Sequence, residues 1–363
     1  MKDFRPERLI LARERRGLTK SDVATRLGLS PKTISNYESA ESFPDIEVVQ
    51  KISKTLGFPV DFFYREEVER PDFEKTASFR ALTGVAAKYR NQAFAAGTIA
   101  TEIYSWFFRH YDLPKLDIPN LPGFDPEDAA ALVRQEWGLG IKPIPNMIHL
   151  LELHGVRVFS LPPDHSNEID AYCMWFKRTP FVFLNTHTSV ERSRFDAAHE
   201  LAHLVLDRLS EKNSPQAETR AHRFAAALLV PKEDLLLNRP QMVTVQSLMQ
   251  LKTRYGVSIT ALAIRMHQLE FISDWQYRNL MIQLSRFRKN EPQPMLKRES
   301  SAIIDKISNH VGSSRMLISQ LSKELGIMQV ELSALLFGLA AVENSDISIS
   351  QGKRVNPHLR LIK

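Results

Sequence analysis

Ser193-Arg194-Phe195-Asp196-Ala197-Ala198-His199-Glu200-Leu201-Ala202-His203-Leu204 is the stretch from which the rest of this 363-residue chain is best read. Its apolar pattern predicts a helix over residues 193–209. His199 and His203 are four residues apart, so on that helix they lie one above the other, with Cβ atoms roughly 5–6 Å apart. Two imidazoles so placed can converge on one cation, at bond lengths of about 2.0–2.1 Å if the cation is zinc. Glu200, beside the first histidine, is then placed to take a proton from a water on the metal and pass it to a leaving nitrogen. In a chain with eleven histidines a chance His-Glu-x-x-His is expected on the order of a few per cent of the time, and a plain helix with two surface histidines is the competing interpretation.

Chemistry of this kind needs a third ligand. A second helix is predicted over residues 216–229, after a connector containing Asn213, Ser214 and Pro215, and it opens with Glu218. Packed antiparallel to the first, it would bring Glu218 to the histidines. His222 lies one turn later on the same face and competes as ligand or as a partner that orients one. His165, His187, Tyr172 and Arg194 are candidates to stabilise a developing oxyanion if the fold brings them near. Upstream, helices are expected over 126–137 and 145–154, followed by short β-rich runs at 156–161, 171–176 and 181–184 that suit a small sheet. From Thr244 onward the pattern is mostly helical, with a break across 290–294.

The N-terminus reads differently. Short helical patterns over 5–16, 19–27, 30–38 and 46–56 are separated by Gly17-Leu18, Gly28-Leu29 and Phe43-Pro44. Thr19 and Ser30 are placed as N-caps, and Pro31 suits a first helical turn. Val23, Ala24, Leu27, Ile34 and Tyr37 have the spacing of a small core, which turns Lys32, Thr33, Ser35 and Asn36 outward. Two helices across so tight a turn can set one against the phosphate backbone and the other in a major groove, so these four residues are the candidate contacts to double-stranded DNA. A polar face on a protein-binding bundle is the alternative. A charged stretch over 65–70, a helical segment around 77–109 and a proline-rich connector over 114–126 complete the chain. The expected division is therefore residues 1–65, 66–124, 125–243 and 244–363.

Composition bounds the partners. A formal charge of +6 favours encounters with polyanions, and 43% hydrophobic with 25% charged residues describes ordinary globular domains. Cys173 is the only cysteine, so no internal disulfide is expected; a small buried side chain is the simpler interpretation than a reactive thiol. The opening residues lack a signal-peptide core and no apolar run approaches the roughly 20 residues that span a bilayer, so a cytoplasmic protein with no membrane partner is expected.

The residues quoted above resemble two linked families. Residues 19–24, 30–38 and Pro44 look like the XRE, or phage-repressor-like, helix-turn-helix, and residues 192–204 with Glu218, Ala221, His222, Arg223, Phe224 and Ala225 look like the ImmA/IrrE metallopeptidase family. The likeness continues through 251–259, 261–262, 272–273, 325–326, Leu332 and 337–338, and is weakest over 66–120. It implies a multidomain, mainly α protein: an all-α helix-turn-helix bundle, an α+β zincin-like metallopeptidase domain with a small sheet, and a helical C-terminal region. It implies Zn2+ held by His199, His203 and Glu218, with Glu200 as general base, and so favours Glu218 over His222. The resemblance implies a DNA-binding transcriptional regulator with a zinc endopeptidase site that cleaves a partner such as a repressor, in stress-response or mobile-element circuits. Paired half-sites on an operator would call for a homodimer. Two alternatives accompany it: a regulator whose peptidase-like domain only senses metal, ligand or partner, and a toxin–antitoxin or protein-interaction component.

Overall fold

In the computed structural model the described residues are 3–66, 69–73, 85–162, 169–207, 214–287, 291 and 297–338, with the backbone of 360–361. Four helices come first: α1 (Pro6–Arg15), α2 (Lys20–Leu27), α3 (Pro31–Glu38) and α4 (Ile46–Leu56). Their ends follow local chemistry. The Thr19 hydroxyl and the Asp22 carboxylate cap one another's backbone N–H groups at the start of α2, and Gly28, at φ 68°, closes that helix in the left-handed region. Ser30 accepts from Thr33 N–H, and Pro31 opens α3. Val23, Ala24, Ile34 and Tyr37 are buried and Leu27 is partly buried against them, as their spacing predicts.

A long helix, α5 (Ala87–His110), leads to α6 (Pro126–Glu136) and α7 (Met147–Leu153). The expected helix around 77–109 is observed from Ala87; residues 74–84 lie outside the described set. Three strands follow, β1 (Arg157–Ser160), β2 (Ala171–Phe176) and β3 (Thr179–Leu184). Their order is β1-β3-β2, with β1 parallel to β3 and β2 antiparallel to it. The β2–β3 turn is two residues long, and both, Lys177 and Arg178, have positive φ, the geometry that matches strand twist in a tight hairpin.

Strand alternation sends neighbouring side chains to opposite faces. Phe159, Tyr172, Met174, Phe181 and Phe183 face a core shared with α1–α5 and with α14 (Ala302–Val311), α15 (Ser314–Leu325) and α16 (Gln329–Leu335). Val158, Ala171, Cys173, Val182 and Leu184 face a second core built with α8 (Val190–Leu206), α9 (Pro215–Leu229), and, beyond α10 (Lys232–Leu237), α11 (Val245–Tyr255), α12 (Ile259–Gln268) and α13 (Asp274–Leu284). Cys173 is thus a buried apolar residue. The four N-terminal helices are also clamped by ion pairs: Arg8 Nη1 donates to both Glu102 carboxylate oxygens at 2.9 and 3.0 Å, and Arg15 and Arg16 both meet Glu331. The architecture is the expected mainly α fold with a small three-stranded sheet, and Tyr111–Asp112 pair antiparallel with Arg360–Leu361 in a separate two-stranded ladder. Among the described residues no helix is long and apolar enough to cross a membrane.

Candidate metal centre and nucleic-acid interface

The helix that carries the histidines is buried on nearly every side. Ala197, Ala198, Leu201, Ala202, Leu204 and Val205 are all inaccessible, and the alanines let α9 approach closely with Ala221, Phe224 and Ala225. Ser189 caps the start of α8 by accepting from Arg192 N–H, and Ser214 with Pro215 opens α9. That packing puts the first turn of α9 beside the third and fourth turns of α8.

His199, His203 and Glu218 consequently meet, each offering one donor atom within 4.8 Å of the others. His199 Nε2 and His203 Nε2 are 3.2 Å apart, and Glu218 carboxylate oxygens lie 3.3 Å from the first and 3.5 Å from the second. For a tetrahedral ion with bonds of about 2.0–2.1 Å, neighbouring ligand atoms should be about 3.3 Å apart. The histidine pair and the two carboxylate oxygens, Oε2 toward His199 and Oε1 toward His203, have spacings of that size, so the donor set fits a divalent cation of zinc's radius and preference for nitrogen and oxygen.

The electrostatics follow from this crowding. Burial opposes a proton on His203, yet the Asp207 and Glu218 carboxylates that hydrogen-bond it, together with the charge of Glu200, push it up to about 10. Burial raises Glu218, but the two imidazoles more than offset that and hold its carboxyl far below the usual range. A site that stabilises positive charge this strongly is suited to a cation. Burial, then the charge of Asp170, lifts the Asp196 carboxyl to about 7 against the nearby Arg192; Glu200 adds to the rise. Glu200 is 3% exposed on the same helix.

His222 is exposed at the rim, its ring 4.6 Å from that of His199 and 5.8 Å from that of Phe195, and it lies outside the three-donor cluster. Two of the oxyanion candidates are corrected. Tyr172 is fully buried on the opposite face of the sheet and donates to the Ala93 carbonyl at 2.8 Å. Arg194 is buried against Glu299 and the Ile144 carbonyl. Both side chains are consumed by packing that spacing along the chain cannot reveal. His187 is exposed on the loop before α8, and His165 lies outside the described residues. Sequence reasoning passed over Asp207, which follows His203 by the same four-residue step that separates the two histidines, and its Oδ2 is 3.1 Å from His203 Nδ1. That repeat of the spacing was the available signal.

At the other end of the molecule, α3 turns Lys32 outward with its side chain 76% exposed, 3.7 Å from Glu41. Thr33 Oγ1 pairs with the Ser30 hydroxyl at 2.8 Å, and Ser35 Oγ accepts from Lys20 Nζ at 3.3 Å. Asn36 Oδ1 has no hydrogen-bond partner among the described residues. Lys32 is exposed, while Thr33, Ser35 and Asn36 are half-buried beside the Ile34 and Tyr37 side chains that bind α3 to the core.

Two family models match the chain. Residues 9–63 match a helix-turn-helix family, and residues 151–267 match the IrrE N-terminal-like domain of peptidase family M78. Short matches occur to endothelial differentiation-related factor 1 of Homo sapiens and Mus musculus, 38% identical over 45 residues, and to the Gallus gallus homolog at 36%. These cover 12% of this chain and only 30% of each relative's length. The first matched interval covers most of α1–α4, and the second spans the sheet, the histidine-bearing α8, α9 with Glu218, and α10–α12. The chain therefore carries a helix-turn-helix domain of the XRE type and a peptidase-family domain of the IrrE/ImmA type.

Proposed function

We propose that this regulator is a zinc-dependent endopeptidase that cuts a partner protein, a repressor in the leading case, while its α3 face engages double-stranded operator DNA. The observation that carries the reading is the convergence of His199, His203 and Glu218, with 3.2 Å between the imidazoles and 3.3 and 3.5 Å from them to the two carboxylate oxygens. These three side chains would hold the ion. Zinc, when bound there, supplies Lewis acidity toward a peptide carbonyl and toward water. Glu200 is the general base: its carboxylate accepts a proton from the attacking water and returns it to the leaving nitrogen. The low-dielectric surroundings of α8 strengthen each of these charges. Lys32, Thr33, Ser35 and Asn36 contact bases and phosphates, a homodimer reads paired half-sites, and the protein works in the cytoplasm where its operator is.

A second reading is favoured by the continuous apolar packing that joins α1–α4 to the sheet whose other face carries α8. In it the metal half senses a ligand or partner and cuts nothing. The Glu200→Gln variant, with zinc content and fold verified, separates the two. Loss of partner cleavage with zinc retained supports the peptidase; regulation unchanged in that variant supports the sensor, and unchanged cleavage removes Glu200 from its role.

A further inference from the structure

The two histidines are held unequally. Among the described residues His199 Nδ1 is buried with no hydrogen-bond partner, whereas His203 Nδ1 faces Asp207 Oδ2 at 3.1 Å, with the two side chains only 2% and 6% exposed. Asp207 is also the residue at which α8 ends; its N–H donates to the His203 carbonyl at 3.2 Å. Its other carboxylate oxygen lies 3.7 Å from Arg220 Nη1. Arg220 belongs to α9, two residues beyond Glu218, and its Nη2 donates to the Phe124 carbonyl at 3.2 Å. One buried carboxylate therefore touches both helices that bring donors to the metal centre.

An imidazole whose Nδ1 faces a carboxylate keeps its proton on that nitrogen, which leaves the Nε2 lone pair for a metal and fixes the plane of the ring. We propose that Asp207 is a positioning residue for the metal centre: it selects the Nδ1–H tautomer of His203 and, through Arg220, sets the span between α8 and α9. The proposal rests on reading the triad as a zinc site. It makes the two histidines inequivalent, since among the described residues no carboxylate faces His199 Nδ1, and that ring is held by helix packing and by its contacts with Glu218 and His222.

Zinc affinity of the full chain, measured by competition with a chromophoric chelator and with helix content followed by circular dichroism, tests this. Asp207→Ala should weaken zinc binding about 10–100-fold while remaining folded. Asp207→Asn keeps an oxygen that can accept from Nδ1–H and should recover a large part of the loss, a rescue that a merely structural role would not show. Arg220→Ala should give a smaller loss, with little further effect when added to Asp207→Ala. A folded Asp207→Ala protein with wild-type affinity overturns the proposal. Should the alanine variant fail to fold, Arg220→Ala carries the test, and wild-type affinity there overturns the relay. Wild-type protein that takes up no zinc after metal-replete purification overturns the zinc-site reading itself, so the two failures are distinguishable.

Discussion

The helix pair α2/α3 and the helix pair α11/α12 are built from the same local parts. Each first helix starts at a threonine in a capping box, Thr19 with Asp22 and Thr244 with Ser247; each ends at a glycine with φ 68°, Gly28 and Gly256; each second helix starts at a serine cap, Ser30 and Ser258. What differs is where the cations go. In the first pair the Lys20 and Lys32 side chains are 45% and 76% exposed. In the second, Lys252 is 2% exposed between Glu191 and Glu291, and Arg265 is 1% exposed on Glu127. Glu191 lies in the first turn of α8, so the second pair directs its charge to holding the histidine-bearing helix in place. Turn geometry makes a helix pair; the burial of its cations decides whether it presents a charged face to solvent or acts as a buttress.

Removing a buried partner should expose this contrast most strongly. Lys252→Ala leaves the Glu191 and Glu291 carboxylates facing each other and is expected to cost about 3–5 kcal/mol in denaturant unfolding, whereas Lys32→Ala should stay within about 0.5 kcal/mol of wild type. If the two substitutions prove equally harmless, the buttress assignment is wrong.

The glycines give a finer comparison. Alanine at either position incurs about 1–2 kcal/mol for a left-handed Cβ. At Gly28 that Cβ meets nothing within 4 Å, while at Gly256 it would sit 3.1 Å from Arg194 Nε and push that side chain away from Glu299 and the Ile144 carbonyl. Gly256→Ala should therefore lower the melting temperature more than Gly28→Ala, and equal losses would show that Arg194 can move freely.

Asn36→Ala tests the reading surface. Operator affinity is expected to fall by about 1–3 kcal/mol at constant salt, with zinc content and thermal stability unchanged; an unaltered affinity in a mobility-shift titration would detach Asn36 from recognition.

The smallest effect concerns pH. Burial raises the Glu191 carboxyl, but Lys252 more than offsets this and leaves it below its ordinary 4.5. A carboxyl depressed in the folded state stabilises at pH above its unfolded value and loses that contribution as pH falls through the folded one. Glu191→Gln should accordingly flatten the acid side of the stability profile without changing the neutral side relative to its own plateau; an unchanged acid limb would remove this pair from the pH response.

Local chemistry was legible along the chain because it is carried by near neighbours. The caps at Thr19 and Ser30, the four-residue step from His199 to His203, and the strand at 171–176 each depend on residues within a few positions. Whether Arg194 and Tyr172 reach the histidines was left to the fold, because their partners, Glu299, Ile144 and Ala93, lie 50 or more positions away in the chain, where no spacing rule reaches. The meeting of Glu218 with the histidines was anticipated from chemistry and family likeness, yet its 3.3–3.5 Å distances depend on how closely alanine-rich α8 and α9 pack.

By itself, then, the sequence determined most helices up to the sheet, several of their caps and the types of donor available, since backbone conformation and capping answer to local residues; the metal-motif helix, expected over 193–209, runs instead from Val190 to Leu206 behind a Ser189 cap. Tertiary structure alone decided that α14–α16 share a core with the N-terminal helices while α11–α13 join the metal helix, and that Lys252 and Arg265 are buried where Lys32 is not. The reason is physical: a side chain's burial depends on every element packed around it, and a one-dimensional pattern specifies which face is apolar without specifying what covers it.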